Sequence, residues 1–373
     1  MSMERLDPTF LHPLSRRAFG RRLAALGLAA AWLPLGGRAA RAADEITYFT
    51  WSGYEVPDLH RTYIDKHGAA PNITFFGDED DAFQKLQAGF VADLAHPCTY
   101  AVGRWREAGL LSPIDVSRIP AWDNLFEPLK SIEGMQTDGI TWFVPIEWGR
   151  NSILYRTDLV DIAPEEESWS ILFDERYAGR LAMFDGMEQA VFAAAMVAGI
   201  RDPFAMDDAE IQKVRDLLIR QKKLLRFYWT DQTVLEQAIA AGEVVAGLAW
   251  NASYTTLKGQ GLPVRYMNPK EGNQTWVCGL VRLKDGTGPE EKVYDFINAE
   301  LDPSAGKFFI EQYAYAHSNR KSFEAADPAR LEELGFAHPD ELFRNSVFLR
   351  DIASEELRQK YNRMFEEVKL SPG

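Results

Sequence analysis

The sequence predicts an α/β protein of two lobes, and three observations carry that prediction. Apolar stretches with a period of two alternate with stretches of helical period along nearly the whole chain. Glycines, prolines and acidic caps punctuate them closely, with no repeat, low-complexity run or long linker. Once an N-terminal leader is set aside, about 330 residues remain, enough for two filled cores.

Taken in order, residues 46–50 read as a strand, residues near 57–67 as a helix, and "NITFFG" at 72–77 as a second strand. "DDAFQKLQAG" at 80–89 has the acidic start and glycine stop of a helix. "ADLAHP" reads as a short strand running into a turn, and "AVGRWREAG" as a helix stopped at Gly109. Residues 140–158 read as two extended segments interrupted at Glu147–Arg150, where charged residues break the apolar run. Then follow the strand "GRLAMFDG", the helix "EQAVFAAAMVAGI", a polar helix near 207–222, the extended "LLRFYWTD", the helix "VLEQAIAAGE" and the strand "VVAGLAWNAS". "PVRYMNPKEG" and "TWVCGLVRL" read as strands, with helices near 290–300, 303–313 and the C-terminus. Strands separated by helices imply mostly parallel connections.

A regularity runs through these elements. Strand after strand ends in aromatic or polar residues: Trp51-Ser52, Pro97-Cys98-Thr99-Tyr100, Asp185, Tyr228-Trp229 and Trp250-Asn251. Open α/β sheets bind ligands at the carboxyl ends of their strands. Any one of these aromatics is as well explained by packing, but their recurrence at one structural position points to a site.

The N-terminus carries Arg16-Arg17, an apolar run and Ala40-Arg41-Ala42, the arrangement of a secretory signal of twin-arginine type cleaved after Ala42. No cysteine lies near that point, so no lipid anchor is expected, and the location predicted is periplasmic. Cleavage leaves 34 Lys/Arg against 53 Asp/Glu, a net charge of about −19. Such an acidic chain is not expected to bind nucleic acid. The 2 cysteines are too few for a disulfide framework, though they allow one bridge.

The order of "YFTWSGYEVPD", "LSPIDVSRIPAWDNL", "VPIEWGRNSILY", "SWSILFD", "VFAAAMVAGI", "IAAGEVVAGLAWNAS", "NPKEGNQTWV" and "YAYAHSN" resembles the periplasmic spermidine/putrescine-binding proteins. These are solute-binding components of ABC importers. The resemblance implies a type II periplasmic-binding fold, with two lobes closing by hinge motion around a ligand, and an inner-membrane ABC permease as partner. It implies a monomer without cofactor or metal. The lobes are expected at 43–145 with about 256–305, and at 146–255 with about 306–373.

The family holds its amines with aromatic walls and carboxylates, a sound use of cation–π attraction and charge-assisted hydrogen bonds. Trp51, Ser52 and Tyr54 match its first-loop motif, Trp250 its wall aromatic, Trp276 the next site-lining segment, and Tyr313 or Tyr315 its late tyrosine. The carboxylates are mostly replaced: Gly53, Ala190, Ser253 and Cys278 stand where the family carries acids, and Arg150 where it carries a small residue. Asp185, Glu188, Asp231 and Glu147 fall beside the crevice and are candidate substitutes, each also readable as a solvated or capping residue. Arg150 reads either as a contact to a ligand carboxylate or as the partner of Glu147. An aromatic cage with one cation and some acids suits a zwitterion, such as an amino acid, betaine, opine-like or guanidino acid, better than a diamine. Cys98 and Cys278, which the resemblance places on one crevice, are either two separate apolar thiols or a disulfide.

An enzymatic alternative uses Cys98 as nucleophile beside His96, with His317 as another base. No third orienting group, nucleophile elbow, phosphate loop or metal cluster accompanies them, so a binding protein is the preferred reading.

Overall fold

The computed structural model describes residues 45–371. The twin-arginine motif, the cleavage point and the absence of an anchor there fall outside the described residues. No described helix is long and apolar enough to cross a membrane.

The chain opens as expected. β1 (Thr47–Trp51) pairs in parallel with β2 (Asn72–Phe76) and with β3 (Leu94–Ala95). The helix Glu79–Gln87 between β2 and β3 starts where Asp78 accepts from the Asp81 amide at 2.7 Å, satisfying a free helical N–H. The short strands β4 (Leu111–Ser112), β5 (Gln136–Thr137) and β6 (Ile140–Thr141) then lead into β7 (Val144–Arg156).

β7 is one continuous strand of 13 residues, not two segments broken at Glu147–Arg150. The polar residues that suggested a break are buried within the sheet. Glu147 is held by His96 and Tyr54, and the ladder to the neighbouring strand runs through these positions. Side-chain polarity broke the apolar pattern without breaking the backbone.

The second lobe adds β8 (Leu181–Phe184), β9 (Leu225–Trp229) and β10 (Ala246–Trp250), with β8 parallel to both others. β11 (Val264–Tyr266) precedes β12 (Asn273–Leu283), and the short β13 (Ala316–His317) and β14 (Ser346–Phe348) complete the sheet, ordered β2-β1-β3-β12-β7-β10-β8-β9. β12 and β7 are antiparallel and form the crossing between lobes. The C-terminal half of β12 pairs with β3, and the C-terminal half of β7 pairs with β10.

One apolar core joins Ile153, Leu154, Trp169, Phe192, Leu248 and the C-terminal helix Glu355–Leu370. Two adjoining cores fill the other lobe around Phe49, Trp105, Trp148, Tyr48 and Phe296. Several buried indoles find carbonyls: Trp229 donates to Leu248 at 3.0 Å and Trp148 to His317 at 3.1 Å, whereas the Trp105 N–H has no partner among the described residues. The packing divides the chain differently from the expected boundary at about 306. Phe309, Ile310, Phe336 and Phe343 sit in the first-lobe cores. The reason is that β13 pairs with Glu147 and Trp148, returning the chain to the first lobe. Only after β14 does the chain join the second core, through Leu349, Ile352 and the last helix.

Candidate functional site

The alternation of strand side chains sorts the crossing residues onto two faces. Directly opposed residues share a face: Glu147 with Cys278, Gly149 with Trp276, Asn151 with Gln274. Trp148 and Arg150, opposite Val277 and Thr275, point the other way.

On the first face, Tyr54 donates to Glu147 Oε1 at 2.9 Å, and Glu147 Oε2 lies 3.0 Å from His96 Nε2. Ring contacts run from Tyr54 to Tyr313 (6.1 Å), Tyr313 to Tyr315 (6.3 Å) and Tyr315 to Trp276 (4.8 Å). Tyr313 also donates to the Gly53 carbonyl. Trp276 lies against Gly149, where even a methyl group would collide with the indole. The second lobe supplies its own wall, with Trp250 at 5.4 Å from Phe184 and 5.1 Å from Trp229.

Cys98 and Cys278 are joined by a disulfide, with Cα atoms 3.8 Å apart. The structure thus takes the bridge over the two separate thiols. It also removes the nucleophile that the enzymatic alternative required, and His96 is occupied by Glu147 and by Tyr48, 2.5 Å from its Nδ1.

A cavity of about 230 Å³ lies between the lobes, lined by Trp51, Tyr100 and Phe184, four carboxylates (Asp78, Glu79, Asp80, Glu188) and two arginines (Arg104, Arg358). Trp51 is fixed by its indole N–H donating to the His96 carbonyl at 2.8 Å. Arg104 pairs with Asp80. Arg358 pairs with Glu188 at 2.8 Å and donates to the Tyr100 carbonyl, tying the two lobes. Asp78 caps its helix.

Glu79 is left with unused capacity. Its Oε1 accepts from the Cys98 amide at 2.7 Å, while its Oε2 is shielded from solvent and has no hydrogen-bond partner among the described residues. Burial pushes its carboxyl up to about 8, opposed by the Cys98 amide. Burial also raises the Tyr100 phenol, and then the negative potentials of Glu79 and Glu188 add to that. Groups from both lobes therefore converge on one cavity.

The remaining candidates are placed as follows. Ser52 is exposed, and Thr99 is buried with its hydroxyl donating to the Leu349 carbonyl. Ser253 is buried, and its hydroxyl lacks a partner among the described residues. Asp185 turns to Lys369 at 2.7 Å, and Asp231 caps the helix Gln232–Ala240. Neither of these two acids lines the interlobe cavity. Arg150 contacts neither the aromatic wall nor Glu147; it lies on the opposite face of β7 for the parity reason above. Asp78, Glu79, Asp80, Arg104 and Arg358 were not anticipated as lining residues. The acidic start of the helix at 79 was visible, but as a helix signal only.

The fold matches solved structures across nearly the whole chain. A spermidine/putrescine ABC transporter substrate-binding protein from Streptococcus pneumoniae superposes with a TM-score of 0.74 at 21% identity, covering 88% of this chain and 99% of the other. The PBP MotA from A. tumefaciens B6, in complex with glucopine, superposes with a TM-score of 0.67 at 15% identity, covering 87% and 99%. In sequence, the spermidine/putrescine-binding periplasmic protein of Escherichia coli (strain K12) is 24% identical over 339 residues, 90% of this chain and 95% of the relative. Residues 62–335, well over half the chain, match the profile described as bacterial extracellular solute-binding protein, and the chain belongs to that family.

Proposed function

We propose that the protein is the periplasmic solute-binding component of an ABC importer and that it captures a small amine-bearing solute, cationic or zwitterionic, between its lobes. The observation that carries the amine is the shielded, unpartnered Oε2 of Glu79 on the interlobe cavity. A buried carboxyl oxygen without a donor is costly, and an ammonium group placed there would satisfy it. Trp51 and Tyr100 offer apolar and π surface for the adjoining carbon chain. Arg104 and Arg358, each on a carboxylate of the same cavity, could exchange that partner for a carboxylate on the solute, which admits zwitterions.

The similar proteins named for spermidine and putrescine support an amine, and their role supports delivery to an inner-membrane permease. Export through the twin-arginine route and a monomeric state belong to the same reading. Asp185 and Asp231 are not part of it, since Lys369 and a helix terminus already occupy them.

The test is a thermal-shift screen of polyamines, amino acids, betaines, guanidino acids and opines on the mature protein, followed by calorimetry on the hits. A solute at 100 times its Kd adds about 2.7 kcal/mol of stability. Amine-bearing hits whose binding weakens in Glu79→Gln support the reading. Hits confined to solutes without an amine, or indifferent to Glu79→Gln, overturn it.

A further inference from the structure

The far face of β7 borders a second cavity, about 260 Å³, whose lining includes Arg150, Tyr254, Arg265, Tyr266, Glu332 and Gly335. Most of its polar groups are already engaged. Arg265 pairs with Glu167 at 2.7 Å, and the neighbouring Glu333 pairs with Arg330 at 2.7 Å. Tyr254 accepts from Lys258 at 2.8 Å, and the Tyr266 hydroxyl lies 2.6 Å from the Arg150 carbonyl.

Two charges remain. Arg150 is only 5% exposed, its Nε is shielded from solvent with no acceptor, and its guanidinium has no ion pair among the described residues. It lies 5.5 Å from the Tyr266 ring centroid, and its Nη2 faces Gly335, 3.3 Å from where a β-carbon would stand. Glu332, exposed on the helix Pro328–Leu334, has no ion-pair partner among the described residues. A guanidinium taken out of water without an acceptor is strongly unfavourable, so this cavity is incomplete as it stands. Burial accordingly lowers the Arg150 pKa.

We propose that this rear cavity is a second solute site, built for a small amino-acid zwitterion. The carboxylate sits on the Arg150 guanidinium, whose planar fork suits it. The ammonium group turns to Glu332, and the short carbon chain lies against Tyr266. The two unpaired charges explain why a zwitterion fits better than a plain anion, which would meet Glu332 unscreened.

The experiment titrates β-alanine, acetate and propylamine into the mature protein by calorimetry, using wild type, Glu79→Gln, Arg150→Met and Glu332→Gln. The expected result is β-alanine binding that survives Glu79→Gln, weakens at least tenfold in Arg150→Met and several-fold in Glu332→Gln. Acetate should bind more weakly than β-alanine and be no weaker in Glu332→Gln. Because Glu332 is exposed, its variant keeps the fold and reports even if Arg150→Met does not. The proposal is overturned if β-alanine binding is lost in Glu79→Gln but kept in Arg150→Met, which assigns it to the interlobe cleft. It is also overturned if β-alanine gives no heat in wild type, or if Glu332→Gln leaves its affinity unchanged.

Discussion

The two faces of β7 differ, and a one-residue step along the strand separates the side chains on them; the rear cavity borders one of these faces directly, while the interlobe cavity is lined by strand ends and helix starts of both lobes. Glu147 and Gly149 belong with Tyr54, Trp276 and the disulfide, whereas Arg150 belongs with Tyr254 and Tyr266. The front cavity is rich in carboxylates, two of them already neutralised by arginines. The rear cavity has one buried cation and no buried acid in its lining; the nearby buried Glu167 is taken by Arg265. A charged residue near a cleft in sequence therefore says little about which side of the sheet it serves; strand parity decides that. The front face is also covalently pinned, while the rear one is held by packing, the Tyr266 hydrogen bonds and the Arg265–Glu167 pair.

Removing the pin should have the largest effect on this contrast. The Cys98–Cys278 bridge spans a sequence separation of 180 residues. On the chain-entropy account a loop of that size contributes about 5 kcal/mol. Urea denaturation of Cys98→Ser/Cys278→Ser should show a loss approaching that figure, and reductant should reproduce it in the wild type. Equal stability of oxidised and reduced protein would mean that the bridge does not form.

Next in size is Glu79→Gln, expected to cost an amine-bearing solute about 1.5–3 kcal/mol, or roughly 10- to 100-fold in Kd, as for hydrogen bonds to charged groups. The same variant should leave rear-site binding alone, so simultaneous loss at both sites would erase the distinction between them.

The aromatic walls come third. Trp51→Ala should weaken front binding by about 1–3 kcal/mol while the protein still folds, since Trp51 lines the cavity and is only partly buried; Trp250→Ala, which removes the ring behind the lining Phe184, and Trp276→Ala, whose indole stands outside the lining, should cost less. Gly149→Ala should act like a mild Trp276 variant by displacing the indole it would touch. Unfolding of any of these would move that residue from the cleft wall to the core.

The pH dependence is smaller and separates the faces cleanly. Burial raises Glu79 to about 8 in the folded protein, above its ordinary carboxylate value. Such a group stabilises the fold while protonated, below its unfolded pKa, and that contribution is lost as pH rises toward and through about 8. An ammonium ligand requires the ionised form, so its affinity should rise between pH 6 and 8 with up to about one proton released on binding. Calorimetry in buffers of differing ionisation enthalpy measures this release, which Glu79→Gln should abolish. Binding at Arg150 should show no such slope over the same range.

The smallest effect belongs to Tyr54→Phe. It deletes one hydrogen bond to a buried carboxylate that keeps His96, at a cost of about 1–2 kcal/mol in stability. A loss above 4 kcal/mol in urea denaturation would show that the Tyr54–Glu147–His96–Tyr48 chain acts as one unit.

Much of the fold was readable from local pattern. The strands at 47–51, 72–76, 181–184 and 246–250 lie where alternation put them. Helices start at acidic caps such as Asp78 and the Asp207 capping box. The aromatic stretch of the cleft was visible too, because strand ends are marked by their own turn residues. Glu79 could be read only as part of a helix start, since nothing within a few residues signals that its carboxyl will lie under the Cys98 amide.

By itself, then, the sequence determined the alternation of elements, the two lobes and the strand ends where aromatics collect. These depend on dihedral preference, periodicity and capping, which act over a handful of residues. The tertiary structure alone decided that β7 runs unbroken through its polar residues, that residues 309–343 return to the first lobe, that Cys98 meets Cys278, and that Arg150 faces away from the aromatic wall. Each of these rests on which backbone lies beside which across more than a hundred residues. That is set by sheet register and by the burial of whole faces, neither of which leaves a mark in any short stretch of the chain.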